Sequence, residues 1–367
     1  MTKLHDLYEQ QGQSVWIDYI RRQFIQDGGL QAAVDEGVRG VTSNPAIFEK
    51  AIAGSDDYDA QMQTLVAEGK SVEEIYEALA VQDIQDAADI LRPVYDDSKG
   101  VDGYVSLEVS PTLARDTEGT IAEARDLYAK VNRPNVMIKV PATDAGIPAI
   151  KTLIGDGISV NVTLMFSLQD YDNVAGAYLD GLEILAQSTD DLSTVASVAS
   201  FFVSRVESDM DDAIAEAGNT DLLGKIAVAN TRLAYKRFEE WFSGARWQAL
   251  ADKGARVQRP LWASTSTKNE AYSDTKYVDE LIGADTVNTM PPNTKEAFKD
   301  HGTVAKTIDK DLDEAQADID KLAEIGVDYD AITQNLQDVG VDKFEKPFAS
   351  LMESIRTKRE KFLEGAK

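Results

Sequence analysis

The chain has 367 residues and a formal net charge of −27, with 43% hydrophobic and 28% charged residues. This composition is typical of a globular protein with a sizeable core, and the excess of carboxylates argues against nucleic acid or an anionic membrane as a partner. The sequence has no cysteine and no apolar run of about 18 residues, which excludes disulfides, thiol chemistry and a membrane-spanning helix.

The N-terminus and the histidines narrow the possibilities further. Residues Met1–Asp6 have no apolar segment behind their lysine, so we expect no secretory signal and a cytoplasmic protein, either a monomer or a homodimer. The two histidines, His5 and His301, lie far apart in the sequence. This separation argues against a histidine-based zinc site and against a Ser-His-Asp triad. We therefore expect no metal site.

Short apolar runs alternate with stretches of helical periodicity along the chain. The predicted strands are Val15–Ile20, Gly40–Asn44, Tyr104–Val109, Val136–Val140, Ile158–Phe166, Val195–Phe202, Arg259–Ser264 and Thr286–Met290. Between them, Glu118–Val131 and Leu168–Ala186 repeat apolar residues at helical spacing. No Gly-x-Gly-x-x-Gly or Walker pattern follows a strand, which argues against a nucleotide-binding sheet. Eight strand–helix units predict an α/β fold of the (β/α)8 TIM-barrel type.

Two connections are longer than a barrel requires, and they predict helical insertions. These insertions span about 46–103, with about two helices including Val72–Leu91, and about 206–258. A charged helical extension is predicted over about 304–367. No linker rich in glycine, serine or proline interrupts the chain, so residues 1–367 are interpreted as one domain.

Lys139 is the most informative residue because it lies within the apolar run Val136–Ala142. An ammonium buried without a partner is costly, and the usual relief for such a group is a lowered pKa. A neutral lysine is a nucleophile that forms a Schiff base with a carbonyl compound. The alternative is a lysine at a sheet edge or paired with an acid elsewhere in the fold. Other polar residues of the predicted barrel decide between the two.

Alternation along the strands directs several polar side chains towards the barrel axis, near the carboxyl ends where such barrels carry their sites. These residues are Asp18, Asn44, Glu108, Lys139, Asn161, Thr163 and Ser200. A lysine with two carboxylates can form a Schiff base, move protons through a bound water and accept a hydroxyl proton during carbon–carbon cleavage. Asparagine and serine can hold hydroxyls, and Arg205, at the start of the helix after the sixth strand, can hold a phosphate.

Several of these segments together resemble the signatures of transaldolases. The resemblance covers roughly residues 14 to 300 and rests on Trp16–Asp18, Gly40–Ala46, Ser106–Ser110, Val136–Thr143, Asn161–Ser167 and Ser200–Arg205. It is strongest with the longer bacterial form of the family. The resemblance implies a Schiff-base enzyme without a cofactor. Such an enzyme moves a dihydroxyacetone unit from sedoheptulose 7-phosphate to glyceraldehyde 3-phosphate, giving erythrose 4-phosphate and fructose 6-phosphate in the non-oxidative pentose phosphate pathway.

The resemblance also implies roles for individual residues. Lys139 is the nucleophile, Asp18 is the acid/base for carbon–carbon cleavage, and Glu108 and Thr163 hold the catalytic water. The residues implied in substrate binding are Asn44, Asn161 and Ser200 for the hydroxyls and Arg205 for the phosphate. We also predict Thr42 and Ser264 as substrate-binding residues. Family members carry Ser-x-Arg after the seventh strand, whereas this chain has Ser264–Asn269 without arginine. We therefore predict Lys268 as the second phosphate-binding cation.

Two other functions remain open at this point. One is an aldolase of the fructose-6-phosphate type, which uses the same Schiff base and releases free dihydroxyacetone. It differs in whether the carbanion is protonated before an acceptor aldehyde arrives. The other is a binding barrel without catalysis. The Ser-Leu-Glu-Val-Ser context of Glu108 favours the transferase, and trapping with borohydride separates a catalyst from a binding protein.

Overall fold

A computed structural model describes residues 1–365 of the chain. Within these residues, eight parallel strands form a closed barrel in the order β1 to β8, each strand bonded to its sequence neighbours and β8 to β1. The strands are β1 Gln13–Ile17, β2 Val38–Val41, β3 Val105–Glu108, β4 Val136–Pro141, β5 Val160–Met165, β6 Ser197–Phe202, β7 Arg259–Ala263 and β8 Thr286–Met290. The predicted (β/α)8 barrel is confirmed, and each predicted strand overlaps an observed one.

Helices surround the barrel and fill its long connections. They are α1 Lys3–Gln11, α2 Arg22–Gln26, α3 Gly29–Asp35, α4 Pro45–Ala53, α5 Asp59–Ala67, α6 Val72–Asp97, α7 Thr117–Val131, α8 Gly146–Gly155, α9 Leu168–Leu185, α10 Ser204–Glu216, α11 Ile226–Trp241, α12 Gly244–Ala251, α13 Lys276–Asp279, α14 Pro292–His301, α15 Leu312–Glu324 and α16 Tyr329–Gly365. Their starts follow local chemistry: at α6, the Ser71 hydroxyl accepts from the Glu74 amide while the Glu74 carboxylate accepts from the Ser71 amide.

The barrel interior is filled by side chains whose order follows strand register. Glu108 of β3 is the register partner of Lys139 of β4, which is in turn the partner of Asn161 of β5. Closer to the amino ends of the strands, the Trp16 ring occupies the interior. A Cβ atom on Gly40 would lie 2.4 Å from that ring, so the indole requires glycine at position 40.

A buried ionic cluster stabilises the amino end of the barrel, opposite the predicted site. Asp102 is fully buried and accepts hydrogen bonds from Arg39 at 2.8 Å, Arg259 at 3.0 Å and the Trp16 indole at 2.9 Å. The Ser14 hydroxyl also donates to it. Burial alone would raise the pKa of Asp102, but the two guanidinium groups outweigh it and lower the pKa. The carboxylate is therefore charged and structural.

The structure corrects three details of the sequence interpretation. The second strand ends at Val41, and Asn44 begins α4 as its N-cap, with Oδ1 accepting from the Ile47 amide at 3.0 Å. The first insertion contains α4, α5 and α6 instead of about two helices, because the helix that follows β2 is part of it. The fifth strand is irregular at Leu164, which has φ +60°, with a register shift between Val162 and Met165.

The carboxy-terminal extension folds back onto the barrel. The part of the predicted extension at residues 366–367 lies outside the described residues. Helix α16 packs against α4, α5, α6 and α10, and Leu351 and Ile355 on it are fully buried. None of the helices within residues 1–365 is sufficiently long and apolar to cross a membrane. The assignment of one domain with two insertions stays a prediction.

Candidate active site

A small cavity of about 90 Å³ lies at the carboxyl ends of the strands. Its lining includes polar residues from seven strands or the turns that follow them, one residue of α10 and one of α16. The lining residues are Asp18, Thr42, Asn44, Lys139, Thr163, Ser200, Phe202, Arg205, Ala263, Ser264, Thr289 and Phe344. Most of the residues predicted from the sequence are therefore brought together. Glu108 and Asn161 lie beside and beneath this cavity, and Lys268 lies in a neighbouring one.

Lys139 and Glu108 form a buried ion pair between adjacent strands. Nζ of Lys139 lies 3.4 Å from Oε2 of Glu108 and donates to the Ser43 carbonyl at 3.2 Å. The two side chains are 7% and 5% exposed. Burial raises the pKa of Glu108, and the Lys139 ammonium opposes that shift without cancelling it. The lysine therefore has the acid partner that its own strand lacks, and the pKa of that acid is raised above its usual range.

Asp18 follows directly after β1 and is held by hydroxyl groups. Its Oδ1 accepts from the Thr42 hydroxyl at 2.7 Å, and Thr42 lies 2.7 Å from the Thr289 hydroxyl. Burial raises the pKa of Asp18, whereas Lys139, Thr42 and Arg205 oppose the shift. A carboxylate with a raised pKa is a stronger base, which suits a group that takes a proton from a hydroxyl and returns it.

A hydrogen-bonded row of polar side chains crosses three strands beneath the cavity. The Ser200 hydroxyl donates to Oδ1 of Asn161 at 2.7 Å, and the Asn161 amide donates to the Ser106 hydroxyl at 2.9 Å. Asn161 is not among the residues that line the cavity, so in this structure it orients Ser200. Thr163 differs, because its buried Oγ1 has no hydrogen-bond partner within residues 1–365 and is available to a bound molecule.

Arg205 lies at the start of α10 and borders the cavity. Its guanidinium stacks 5.0 Å from the Phe202 ring and 5.7 Å from the Phe344 ring, and its buried Nη1 has no hydrogen-bond partner in the described part of the chain. Beside it, the Ser264 hydroxyl lies 2.8 Å from the Ser204 hydroxyl. Ser264 has φ +57°, a left-handed conformation that brings the end of β7 to this helix terminus. An arginine fork and a helix N-terminus together suit an anion.

Lys268 lies in a neighbouring cavity of about 190 Å³ with several acids. The carboxylates that line this cavity with it are Glu207, Asp211 and Asp212. The structure thus does not bring Lys268 to the cavity that contains Lys139. The loop after β7 has no periodic pattern of apolar residues, so the sequence does not indicate on which side of α10 the loop and Lys268 lie.

Glu207 in this second cavity gives a pH-dependent stability that can be tested. It is 2% exposed, and burial and the nearby Asp211 raise its pKa to about 7 from 4.5. Between these values the folded protein binds more protons than the unfolded chain, so the free energy of unfolding should fall as pH rises through this range. Urea unfolding across this range should show a weaker pH dependence for Glu207→Gln. Glu216 is exposed on the same helix, so Glu216→Gln should keep the wild-type dependence of unfolding free energy on pH. An unchanged dependence in Glu207→Gln would contradict the raised pKa of Glu207.

Four residues that line the cavity were not identified from the sequence: Phe202, Ala263, Thr289 and Phe344. Phe344 is the one that α16 contributes. It is 5% exposed, and its ring centre lies 5.7 Å from Lys139 Nζ and 5.7 Å from Arg205 Cζ. Four residues further along α16, Phe348 packs edge-on against Tyr76 at 5.3 Å and lines a side cavity of about 600 Å³ between α6, α7 and α16 that Glu108 also borders. The only sequence signal was an apolar position in a charged helix.

Comparison with known sequences identifies the family of the chain. A sequence model described as Transaldolase/Fructose-6-phosphate aldolase matches residues 15–355. The chain is 47% identical to a transaldolase of Trichodesmium erythraeum, covering 96% of this chain and 97% of that one. It is 51% identical to a transaldolase of Thermobifida fusca and 51% identical to one of Acidothermus cellulolyticus, with 94% of this chain covered in each case and 95% and 94% of those proteins. The chain belongs to the transaldolase/fructose-6-phosphate aldolase family.

Proposed function

We propose that this protein is a transaldolase that transfers a dihydroxyacetone unit from sedoheptulose 7-phosphate to glyceraldehyde 3-phosphate through a Schiff base on Lys139. The products are erythrose 4-phosphate and fructose 6-phosphate. The observation that carries the proposal is the buried Lys139, 3.4 Å from Glu108, in a cavity shared with Asp18 and Arg205. A cytoplasmic location and independence from metals and cofactors remain predictions.

The first half of the reaction uses Lys139, Glu108 and Thr163. The lysine amine adds to the ketone carbon of the donor, and loss of water then gives the iminium. Glu108 lies within reach of Nζ and has a raised pKa, so it can accept a proton from the attacking amine and deliver it to the departing hydroxyl. The free Oγ1 of Thr163 is a suitable group to hold the water that leaves and later returns.

Cleavage and transfer use Asp18. It takes the proton of the hydroxyl on the carbon two positions from the iminium carbon. The bond between that carbon and the carbon next to the iminium then breaks, the hydroxyl carbon becomes the aldehyde, and the iminium accepts the electron pair to give the enamine. The resulting enamine attacks the acceptor aldehyde, Asp18 returns the proton to the new hydroxyl oxygen, and water releases the ketose. Thr42 holds the Asp18 carboxylate at 2.7 Å, which fixes its position through both steps.

The substrate's hydroxyls and phosphate need separate contacts. Asn44 can offer its amide N–H groups, because its oxygen caps α4, and the Ser200 and Ser264 hydroxyls line the same cavity. Asn161 acts through Ser200, to which it is bonded. Arg205, with its free Nη1, is the proposed phosphate ligand, and Lys268 is a further candidate only if the loop after β7 moves.

Replacing Arg205 by alanine should raise the Michaelis constant for phosphorylated sugars far more than for dihydroxyacetone or unphosphorylated fructose. A protein with a net charge of −27 repels sugar phosphates at long range, so a local cation is needed at the mouth. Some turnover should also be lost, because the remote phosphate contact positions the reacting carbons. The control is Lys225→Ala, because Lys225 is an exposed cation on the neighbouring surface. Equal effects on phosphorylated and unphosphorylated sugars would place the phosphate elsewhere, with Lys268 tested next.

The proposed activity is tested by mixing the protein with fructose 6-phosphate and erythrose 4-phosphate. Transfer predicts sedoheptulose 7-phosphate and glyceraldehyde 3-phosphate in equal amounts. An aldolase of the fructose-6-phosphate type would instead release free dihydroxyacetone at the same rate with and without the acceptor. Borohydride should in both cases fix a covalent adduct, so absence of any adduct would exclude both activities.

A further inference from the structure

The cavity around Lys139 is smaller than its proposed substrate requires. Its volume is about 90 Å³, whereas small-molecule sites are typically about 300–1,000 Å³. The residue that α16 contributes to its lining is Phe344, whose ring centre lies 5.7 Å from both Lys139 Nζ and Arg205 Cζ. Phe344 therefore narrows the approach to Lys139 while it keeps this position.

Helix α16 is firmly held on both sides of Phe344. On one side, Gln337 Nε2 donates to the carbonyls of Ala142 at 3.1 Å and Leu164 at 3.2 Å. On the other side, Lys358 bonds the Asp59 carboxylate at 2.7 Å. The Leu164 carbonyl is available because the strand is irregular there. These bonds hold the helix across the barrel mouth, so access to the site depends on the segment between the two anchors.

That segment contains a local weak point. Pro347 lies inside α16, three residues after Phe344, and has no N–H to donate to the Lys343 carbonyl. Proline within a helix is one of the recognised causes of a kink. The Phe344 region is thus the part of α16 that can bend with the smallest loss of backbone hydrogen bonds.

We propose that Phe344 is a gate over Lys139 that controls the fate of the bound dihydroxyacetone unit. This inference rests on the proposed function. After the first aldehyde leaves, the enamine on Lys139 has two routes. Its carbon attacks the acceptor aldehyde and Asp18 gives a proton to the new oxygen, or its carbon takes a proton from an acid and water then hydrolyses the iminium to free lysine and dihydroxyacetone. An apolar ring above the enamine excludes water and disfavours the second route.

The Phe344 ring also interacts favourably with the two cations beside it, Lys139 and Arg205. Its centre is equally distant from the Lys139 nitrogen and the Arg205 guanidinium, and an aromatic face attracts cations. An iminium on Lys139 is also a cation, so the same contact stabilises the charged intermediate. Phe344 is therefore a positioning residue that keeps water from the intermediate while the acceptor replaces the first product.

The test compares Phe344→Ala and Phe344→Leu with Phe348→Ala. Phe348 is the matched control because it lies one turn away on α16 and lines the side cavity instead of the catalytic one. Fructose 6-phosphate is supplied with and without erythrose 4-phosphate, and the ratio of free dihydroxyacetone to sedoheptulose 7-phosphate is measured. Phe344→Ala should raise this ratio about tenfold, Phe344→Leu should raise it less, and Phe348→Ala should leave it at the wild-type value.

The outcomes separate this inference from the proposed function. A wild-type protein that transfers dihydroxyacetone, with Phe344 variants that keep the wild-type ratio, would overturn only the gate. A similar rise in Phe348→Ala would show that general loosening of α16 is responsible, which also overturns it. A wild-type protein that gives no borohydride adduct would overturn the proposed function itself. Should the alanine variant fail to fold, the leucine variant decides by the same ratio.

Discussion

Lys139→Arg is expected to abolish turnover while leaving the protein folded. Guanidinium stays protonated at any accessible pH and cannot add to a carbonyl, although it preserves the positive charge beside Glu108. The charge matters because Glu108 is buried, and removing its partner would leave an uncompensated carboxylate at a cost of roughly 3–5 kcal/mol. Arginine therefore separates loss of chemistry from loss of stability better than alanine or methionine would.

The covalent step can be observed directly. Wild-type protein treated with fructose 6-phosphate and borohydride should gain one dihydroxyacetone-derived adduct, which peptide mapping by mass spectrometry should locate at Lys139. Lys139→Arg should gain none. Lys151→Arg is the control, because Lys151 is a half-exposed surface lysine paired with Asp180. An adduct on any other lysine, or an adduct that persists in Lys139→Arg, would refute the assignment.

The parts of this structure that depend on local pattern could be predicted from the sequence. Strands alternate with a period of two residues, so the apolar runs gave all the barrel strands, and parity directed Glu108 and Lys139 to the same face. Their ion pair needs one further fact, the register of β3 against β4. Register depends on the closure of the whole barrel, and therefore the acid partner of Lys139 was invisible in its own segment.

Features that depend on tertiary docking could not be predicted in this way. The charged pattern of residues 304–367 predicts a helix, but nothing in it indicates that α16 crosses the barrel mouth and brings Phe344 to Lys139. That docking depends on Gln337 meeting two strand-end carbonyls, one of them at the irregular Leu164. Lys268 is a second example. Its position in the sequence, just after β7, predicts a phosphate ligand, but the conformation of its loop places it in an acidic cavity instead.

The two carboxylates of the site should fail at different steps when neutralised. Glu108→Gln should slow formation of the Schiff base itself, because the attacking amine and the departing water lose their proton carrier. Asp18→Asn should still form the adduct but should lose carbon–carbon cleavage. Each loss should be on the order of 10²–10⁴-fold, the usual contribution of a positioned acid or base. The amide of asparagine can still accept the Thr42 hydrogen bond, so the geometry around position 18 should persist.

Comparing the rate of borohydride trapping with the rate of transfer separates these two steps in each variant. Asp18→Asn should trap at close to the wild-type rate and transfer slowly, whereas Glu108→Gln should lose both rates together, because every later step waits for the iminium. Glu123→Gln is the control, since this half-buried carboxyl borders the side cavity and accepts the Ser110 amide at 2.9 Å. Burial raises the pKa of both carboxyls, but their partners differ. Thr42 donates a hydrogen bond to Asp18, whereas Glu108 lies next to Lys139, and this difference assigns the two carboxyls to different steps. Trapping and transfer that fall in parallel in both variants would show that the two carboxylates act as one unit.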